Sequence, residues 1–300
     1  MGAKSDIEWT DATWNPLRGC TRVSEGCRNC YAERVAARFS GSGQPYEGLA
    51  EHTPSGPRWT GEVRLVEKHL KDPLRWAKPR RVFVASMSDP FHPEVSDGDL
   101  DRIFAVMACA TQHTFQLLTK RPERAREYLS AGPVELFGRL NDAALRDGIV
   151  PEGYAVFPTQ RHGMVWGPGW PLPNLWLGVS AEDQATADER IPELLSTPAA
   201  VRFVSAEPLL GPIDPVPFAG GTAGIDWLIA GGESGPGARR MDTAWAIDLQ
   251  DQCEASGVAF FFKQWGGVNK KAAGRELNGR TYSEFPAARA GASESEGVER

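Results

Sequence analysis

Six short apolar runs constrain this chain more than any other feature. They are RRVFVASMSDP (80–90), TFQLLTKRP (114–122), LWLGVSAED (175–183), VRFVSAEPL (201–209), IDWLIAGGESG (225–235) and VAFFFKQWG (258–266). Each is almost continuously apolar rather than alternating, which suits strands covered on both faces, and each ends in polar residues. Helix-like segments separate several of them: DGDLDRIFAVMACA (97–110), AEDQATADERIPELLST (181–197) and DTAWAIDLQDQCEASG (242–257), the last closed by Gly257. Strand alternating with helix predicts an α/β fold with a parallel sheet. Six runs, with a further strand expected just before Cys20, suit a full or partial (β/α) barrel; a doubly wound open sheet is the alternative. In both, ligands gather at the C-terminal strand ends. The candidate list is therefore Ser88/Asp89, Lys120/Arg121, Ser180/Glu182, Glu207, Glu233/Ser234 and Lys263/Gln264.

The remaining chain qualifies this pattern. Residues 40–62 are rich in Gly, Ser and Pro and read as an excursion over the surface. Residues 131–173 join a short helix (ELFGRLNDAALRDG) to a turn-rich stretch, the natural place for an inserted lid, a partner-binding element or a plain surface insertion. The expectation is one domain over 1–286 with these two insertions, then an acidic tail at 287–300. Lys+Arg number 33 and Asp+Glu 39, a formal charge of −6, with 41% hydrophobic residues, which excludes a wholly disordered chain. No apolar run approaches the roughly 18 residues that span a bilayer. The first residues lack the apolar stretch of a signal peptide, so the expected location is cytoplasmic, with no membrane contact.

Five cysteines without a signal peptide argue against a disulfide framework. Cys109 and Cys253 sit in apolar or helical stretches and read as small buried hydrophobes. Cys20, Cys27 and Cys30 differ, because a C-x6-C-x2-C loop brings three thiolates together. Three are one short of a closed tetrahedral site. Either a distant ligand completes a structural zinc site or one position is kept open, and on spacing alone zinc and an iron–sulfur cluster fit equally. A redox dithiol at Cys27/Cys30 leaves Cys20 unexplained.

WNPLRGC-x6-CRNCYAER, then VFVASMSDPFHPE, then FQLLTKRPER form a distinctive series. It resembles radical S-adenosylmethionine (radical SAM) enzymes of the spore photoproduct lyase-like branch. The matching residues are Asn15, Pro16, Gly19, Cys20, Cys27, Cys30 and Tyr31, then Ser88, Asp89, Pro90, Pro93 and Glu94, then Thr119 and Lys120. From Ile7 to Pro286 the chain is also similar to a family found widely in phages and bacteria under an uncharacterised-domain label. The resemblance implies a [4Fe-4S] cluster on Cys20, Cys27 and Cys30, with S-adenosylmethionine on its open iron. It implies a deoxyadenosyl radical as the product of cleavage, and an electron donor such as a flavodoxin or ferredoxin. It further implies Ser88 and Asp89 at the methionine amine, and Lys120, Ser180 and Glu182 at the carboxylate, ribose or substrate. The usual loop is C-x3-C-x2-C, so the first gap here is longer. The residue before the last cysteine is usually aromatic and packs near the adenine; here it is Asn29, which leaves Tyr31 to supply that contact. Gly231, Gly232 and Glu233 come too late in the chain to be the family's amine-binding GGE. They read either as a backbone cradle for an anionic group or as a tight turn. Glu207 and Lys263 complete the expected catalytic set with Lys120 and Glu182.

A nucleic-acid substrate is suggested by the lyase-like resemblance and by two basic stretches, 64–81 and 120–126, which form a phosphate footprint if they share a face. The bland reading is a solvated helix face. Trp59, Trp76, Trp166 and Trp170 serve either to stack on bases or to anchor packing. Two other function classes compete with the radical enzyme. One is a non-enzymatic zinc-binding module that docks nucleic acid. The other is a metal-dependent hydrolase, for which the five His show no suitable spacing.

Overall fold

The computed structural model describes residues 5–151, 155–157, 169–214, 224–269 and 273–287. Seven parallel strands form one sheet: β1 (Ala12–Trp14), β2 (Arg81–Val84), β3 (Thr114–Thr119), β4 (Leu175–Ser180), β5 (Val201–Ala206), β6 (Trp227–Gly231) and β7 (Ala259–Gln264). Their spatial order is their chain order. A doubly wound sheet must reverse its order at a switch point, and this one never does. Among the described residues β1 and β7 do not pair, so the sheet is a partial barrel.

Six main helices accompany it: α1 (Tyr31–Arg38), α2 (Asp97–Cys109), α3 (Pro122–Leu129), α4 (Pro133–Arg146), α5 (Gln184–Leu195) and α6 (Thr243–Ser256). Their ends follow capping chemistry. Ser96 accepts the Asp99 N–H at the start of α2, and Asp183 and Thr186 form a capping box on α5. Gly257, at φ 68°, closes α6 in the left-handed conformation that glycine adopts without penalty. None of the described helices is long and apolar enough to cross a membrane.

The continuous apolarity of the strands has a two-sided cause. Alternate residues such as Val82, Val84, Leu117, Leu177, Leu228 and Phe262 join the helices in the main core. Those between them, Phe83, Trp176, Phe203, Trp227 and Phe261, point the other way and meet Trp9 and Phe285 in a second, aromatic cluster that fills the concave face. Toward the C-terminal ends the same inward parity turns polar, at Ser180, Ser205, Glu207 and Lys263. The aromatic cluster is therefore a floor with an open space above it.

The floor also manages the open side of the barrel. Beyond β7, Phe262 N–H donates to Tyr282 O (3.2 Å) and Glu284 N–H to Phe260 O (3.1 Å), so the last edge is covered. Phe285 then packs on Trp227 and Phe261, and the Arg81 guanidinium lies 4.1 Å from its ring. Since Arg81 opens β2, the neighbour of the edge strand β1, this contact reaches across the open side of the sheet.

Two expectations change. Within 40–62 the chain builds a hairpin, Ala50–Thr53 paired with Gly56–Trp59, that packs on α1 with Tyr46 and Leu49 buried. Within the described part of 131–173, the helix starts and ends two residues earlier than the expected segment, at Pro133 and Arg146. It lies against α2, burying Leu136, Leu140, Ala143 and Ala144, and so belongs to the outer helical layer rather than to a lid. Most of the tail, from residue 288 on, lies outside the described residues.

Gly178, on the inward face of β4, leaves room for the Phe203 ring, which a Cβ there would overlap. Gly178→Ala should cost about 1–3 kcal/mol, the usual penalty for overpacking a tight core. Denaturant unfolding measures the loss, and Phe203→Leu in the same chain should recover part of it.

Candidate thiol-lined cavity

Above the aromatic floor lies a cavity of about 570 Å³, within the range of small-molecule sites. Cys20, Cys27 and Cys30 line it, as free thiols. So do Tyr31, Ser88, Asp89, Lys120, Ser180, Glu207, Glu233 and Lys263, residues that the strand ends and the motif series single out. Glu182, Gly231 and Gly232 do not line it. Ser205, two residues before Glu207, does; the period of two along β5 would have found it.

Three carboxylates expected at a ligand are committed to the protein itself. Asp89 accepts from Phe91 N–H (3.0 Å) and Thr119 Oγ1 (2.7 Å) on Oδ1, and from Lys120 N–H (3.1 Å) and Arg121 Nη1 (2.9 Å) on Oδ2. Four donors fill the roughly four acceptor positions of a carboxylate, so in this arrangement Asp89 has none left for a cofactor amine. It instead orients Arg121, which donates to Thr21 O and Oγ1 and lies 3.9 Å from Cys20 Sγ. Ser88 is different: its Oγ is buried without a hydrogen-bond partner.

Glu182 is buried beneath the cysteine loop. It accepts from Lys120 Nζ, from Ser24 Oγ (3.0 Å) and from Arg190 Nη1 (3.2 Å). A Cβ at Gly26 would overlap its carboxylate, so the loop rests directly on it. Burial alone would raise the Glu182 pKa, but the Lys120 and Arg190 charges outweigh it and hold the carboxyl below its ordinary value.

Glu233 pairs with Arg239 (2.6 Å) and accepts from Asn29 Nδ2 (2.8 Å). The Gly232 N–H is taken by Gln264 O, and a Cβ on Gly232 would overlap Trp265 O. The glycines are thus a tight turn, not an anion cradle. Tyr31 Oη donates to Ser86 O (2.7 Å), fastening the start of α1 to the loop after β2.

Across the cavity, Lys263 Nζ lies 2.7 and 2.9 Å from the two Glu207 oxygens. The β6–β7 ladder shifts register here: Ala230 faces Phe262 and Gly231 faces Gln264, leaving Lys263 as an extra residue. Such a bulge turns consecutive side chains to one face, and Lys263 and Gln264 both line the cavity.

Burial pushes the Cys20 thiol up to about 12, reinforced by the Asp89 charge and opposed by Arg121; burial raises Cys30 as well. Both keep their protons at neutral pH as free thiols, so metal binding there would release protons. Among the described residues no three His, Cys, Asp or Glu side chains are gathered closely enough to hold a single metal ion. Cys253 is buried in the main core and Cys109 packs against it, as expected of small hydrophobes.

The basic stretches are largely paired. In 120–126, Lys120, Arg121, Arg124 and Arg126 meet Glu182, Asp89, Asp97 and Glu193. In 64–81, Arg64, Arg75 and Arg81 meet Glu62, Asp72 and Asp11, while Lys71 donates to Asp147 O. Trp76 and Trp170 pack against the main core, and Trp59, in the hairpin, against the small cluster it forms with α1; Trp166 lies outside the described residues. His92, buried, bonds Thr21 Oγ1 (2.9 Å) rather than joining other histidines.

Fold and site together define a partial (β/α) barrel with a thiol-lined cavity bordered by polar strand ends. Residues 4–286 match the family described as "Protein of unknown function (DUF5131)", and the chain belongs to that family. No curated protein and no solved structure matches it.

Replacing Glu182 by Gln leaves two cations facing a neutral group, one of them the fully buried Arg190, and should destabilise the fold by about 3–5 kcal/mol near neutral pH. Because the folded pKa lies below the unfolded one, the carboxylate's contribution is present above about pH 4.5 and fades as pH falls through the lower folded value. Unfolding curves should therefore show the gap between wild type and Glu182→Gln narrowing in acid.

Proposed function

We propose that this protein is a radical SAM enzyme, with Cys20, Cys27 and Cys30 each ligating one iron of a [4Fe-4S] cluster. The observation that carries this reading is that all three thiols line one cavity with Ser88, Lys120, Ser180, Glu207 and Lys263. A cluster takes one thiolate per iron, so its ligands need not converge on a point as the ligands of one zinc must. In this reading the cysteine loop forms part of the C-terminal rim, supported by its contacts with Glu182, Arg121 and Glu233. When bound, the cluster and S-adenosylmethionine supply a deoxyadenosyl radical that takes hydrogen from an unreactive carbon.

The chain's own part is to bind, orient and exclude water. Ser88 offers a buried hydroxyl without a partner to a polar group of the cofactor. Ser180 and Ser205 stand in register on adjacent strands and present neighbouring hydroxyls to the cavity. Glu207 and Lys263, on the far strands, are the substrate-facing pair. The floor of Trp9, Phe83 and Leu118 keeps the lower wall apolar. Reduction calls for a one-electron donor of the flavodoxin or ferredoxin kind. A nucleobase substrate draws less support than the cofactor, since the cations of 120–126 are all engaged with carboxylates.

Anaerobic reconstitution should give a brown protein with about four irons and matching sulfide, bleached in the Cys20/Cys27/Cys30→Ala triple variant. Addition of S-adenosylmethionine and reductant should then release deoxyadenosine. A colourless protein holding one zinc through the same cysteines would overturn this reading in favour of a zinc module.

A further inference from the structure

GGESGPGAR (231–239) brings Glu233, Ser234 and Gly235 to the cavity lining, and it also makes a dense set of contacts to the cysteine segment. Glu233 Oε2 accepts from Asn29 Nδ2 (2.8 Å), Arg239 N–H (2.9 Å) and Arg239 Nε (3.0 Å). Asn29 stands between Cys27 and Cys30, and its Nδ2 also reaches Gly237 O (2.9 Å). Arg239 continues to Glu25 O (2.8 Å) and its carboxylate (3.3 Å). From α1, Arg34 donates to Ser234 O (2.9 Å) and Pro236 O (2.8 Å). The spacing of glycines follows from this closeness. Gly235 (φ 96°) and Gly237 (φ 78°) hold left-handed conformations, and a side chain at either would crowd Arg34 or Asn29 respectively.

We propose that the Glu233–Arg239 pair is a positioning device for the thiols of Cys27 and Cys30, acting through Asn29. The pair fixes the Asn29 side chain by a charge-assisted bond, and Asn29 fixes the two-residue link between the thiols. This explains why the position before the last cysteine carries a carboxamide rather than an aromatic ring. The device acts on the thiols whether iron, zinc or no metal is bound, so it stands apart from the radical reading.

The test uses the full chain, reduced and chelator-treated, pulsed with iodoacetamide at one pH, with labelling of each cysteine read by peptide mass spectrometry. Arg239→Met and Asn29→Ala should each raise labelling of Cys27 and Cys30 about tenfold, the shift in local opening expected when a hydrogen bond to a charged group is lost. Cys109 and Cys253 should keep their wild-type rates. Arg239→Lys should recover part of the protection, and Glu233→Gln combined with Arg239→Met should add little to the single change. Unchanged Cys27 and Cys30 rates in Asn29→Ala would overturn the proposal. So would a parallel rise at Cys109 and Cys253 in both variants, since that reports general loosening.

Discussion

Buried carboxylates, each paired with a cation and tied to the cysteine segment directly or through that cation, hold the upper half of this protein together. They follow alternate strands. Asp89, after β2, orients Arg121 onto residues 20 and 21. Glu182, after β4, takes Ser24. Glu233, after β6, takes Asn29. The segment that carries three thiols is thus fastened at successive points along its length by successive points along the sheet. A loop with a long first cysteine gap has little regular structure of its own, and these bonds replace the ladder or helix that would otherwise define it. The cost of removing a carboxylate is expected to be largest at Glu182, whose partner Arg190 would remain fully buried and charged.

The division of labour along each strand is equally physical. Outward side chains meet the helices and inward ones meet the aromatic floor, so the lower strands are mainly apolar, with Gln116 kept there by its bond to Trp9 O. Above the floor no side chains remain to pack against, and polar groups face one another across open space. The Lys263 bulge adds one more polar side chain at that level than a regular strand would present.

This layering governs what could be read from residues alone. Six of seven strands were legible because a parallel strand buried on both faces writes an unbroken apolar run. β1, three residues long, was legible only as a strand expected before the cysteines. The hairpin at 50–59 was hidden by its Gly, Ser and Pro content, because its stability comes from contacts with α1 rather than from its own pattern. At the site, location was legible and partnership was not. Asp89, Glu182 and Glu233 end strands as ligand residues would, but only the fold shows that long-range donors such as Arg121, Arg190 and Asn29 occupy them. Ser205 was within reach of parity arguments; Arg239 and Arg190 carried no signal, since an isolated arginine in a helix or turn looks solvated.

The strip at 282–285 that zips β7 and bridges to Arg81 has a consequence for synthesis. The chain emerges amino-terminus first, so the thiols appear early while Glu233, Arg239, β7 and Phe285 appear late. Until the last of these has left the ribosome, the barrel lacks its closing edge and the thiol segment lacks its final fastening. Closure of the barrel edge and the last fastening of the thiol segment therefore wait until residues 282–285 are available to fold.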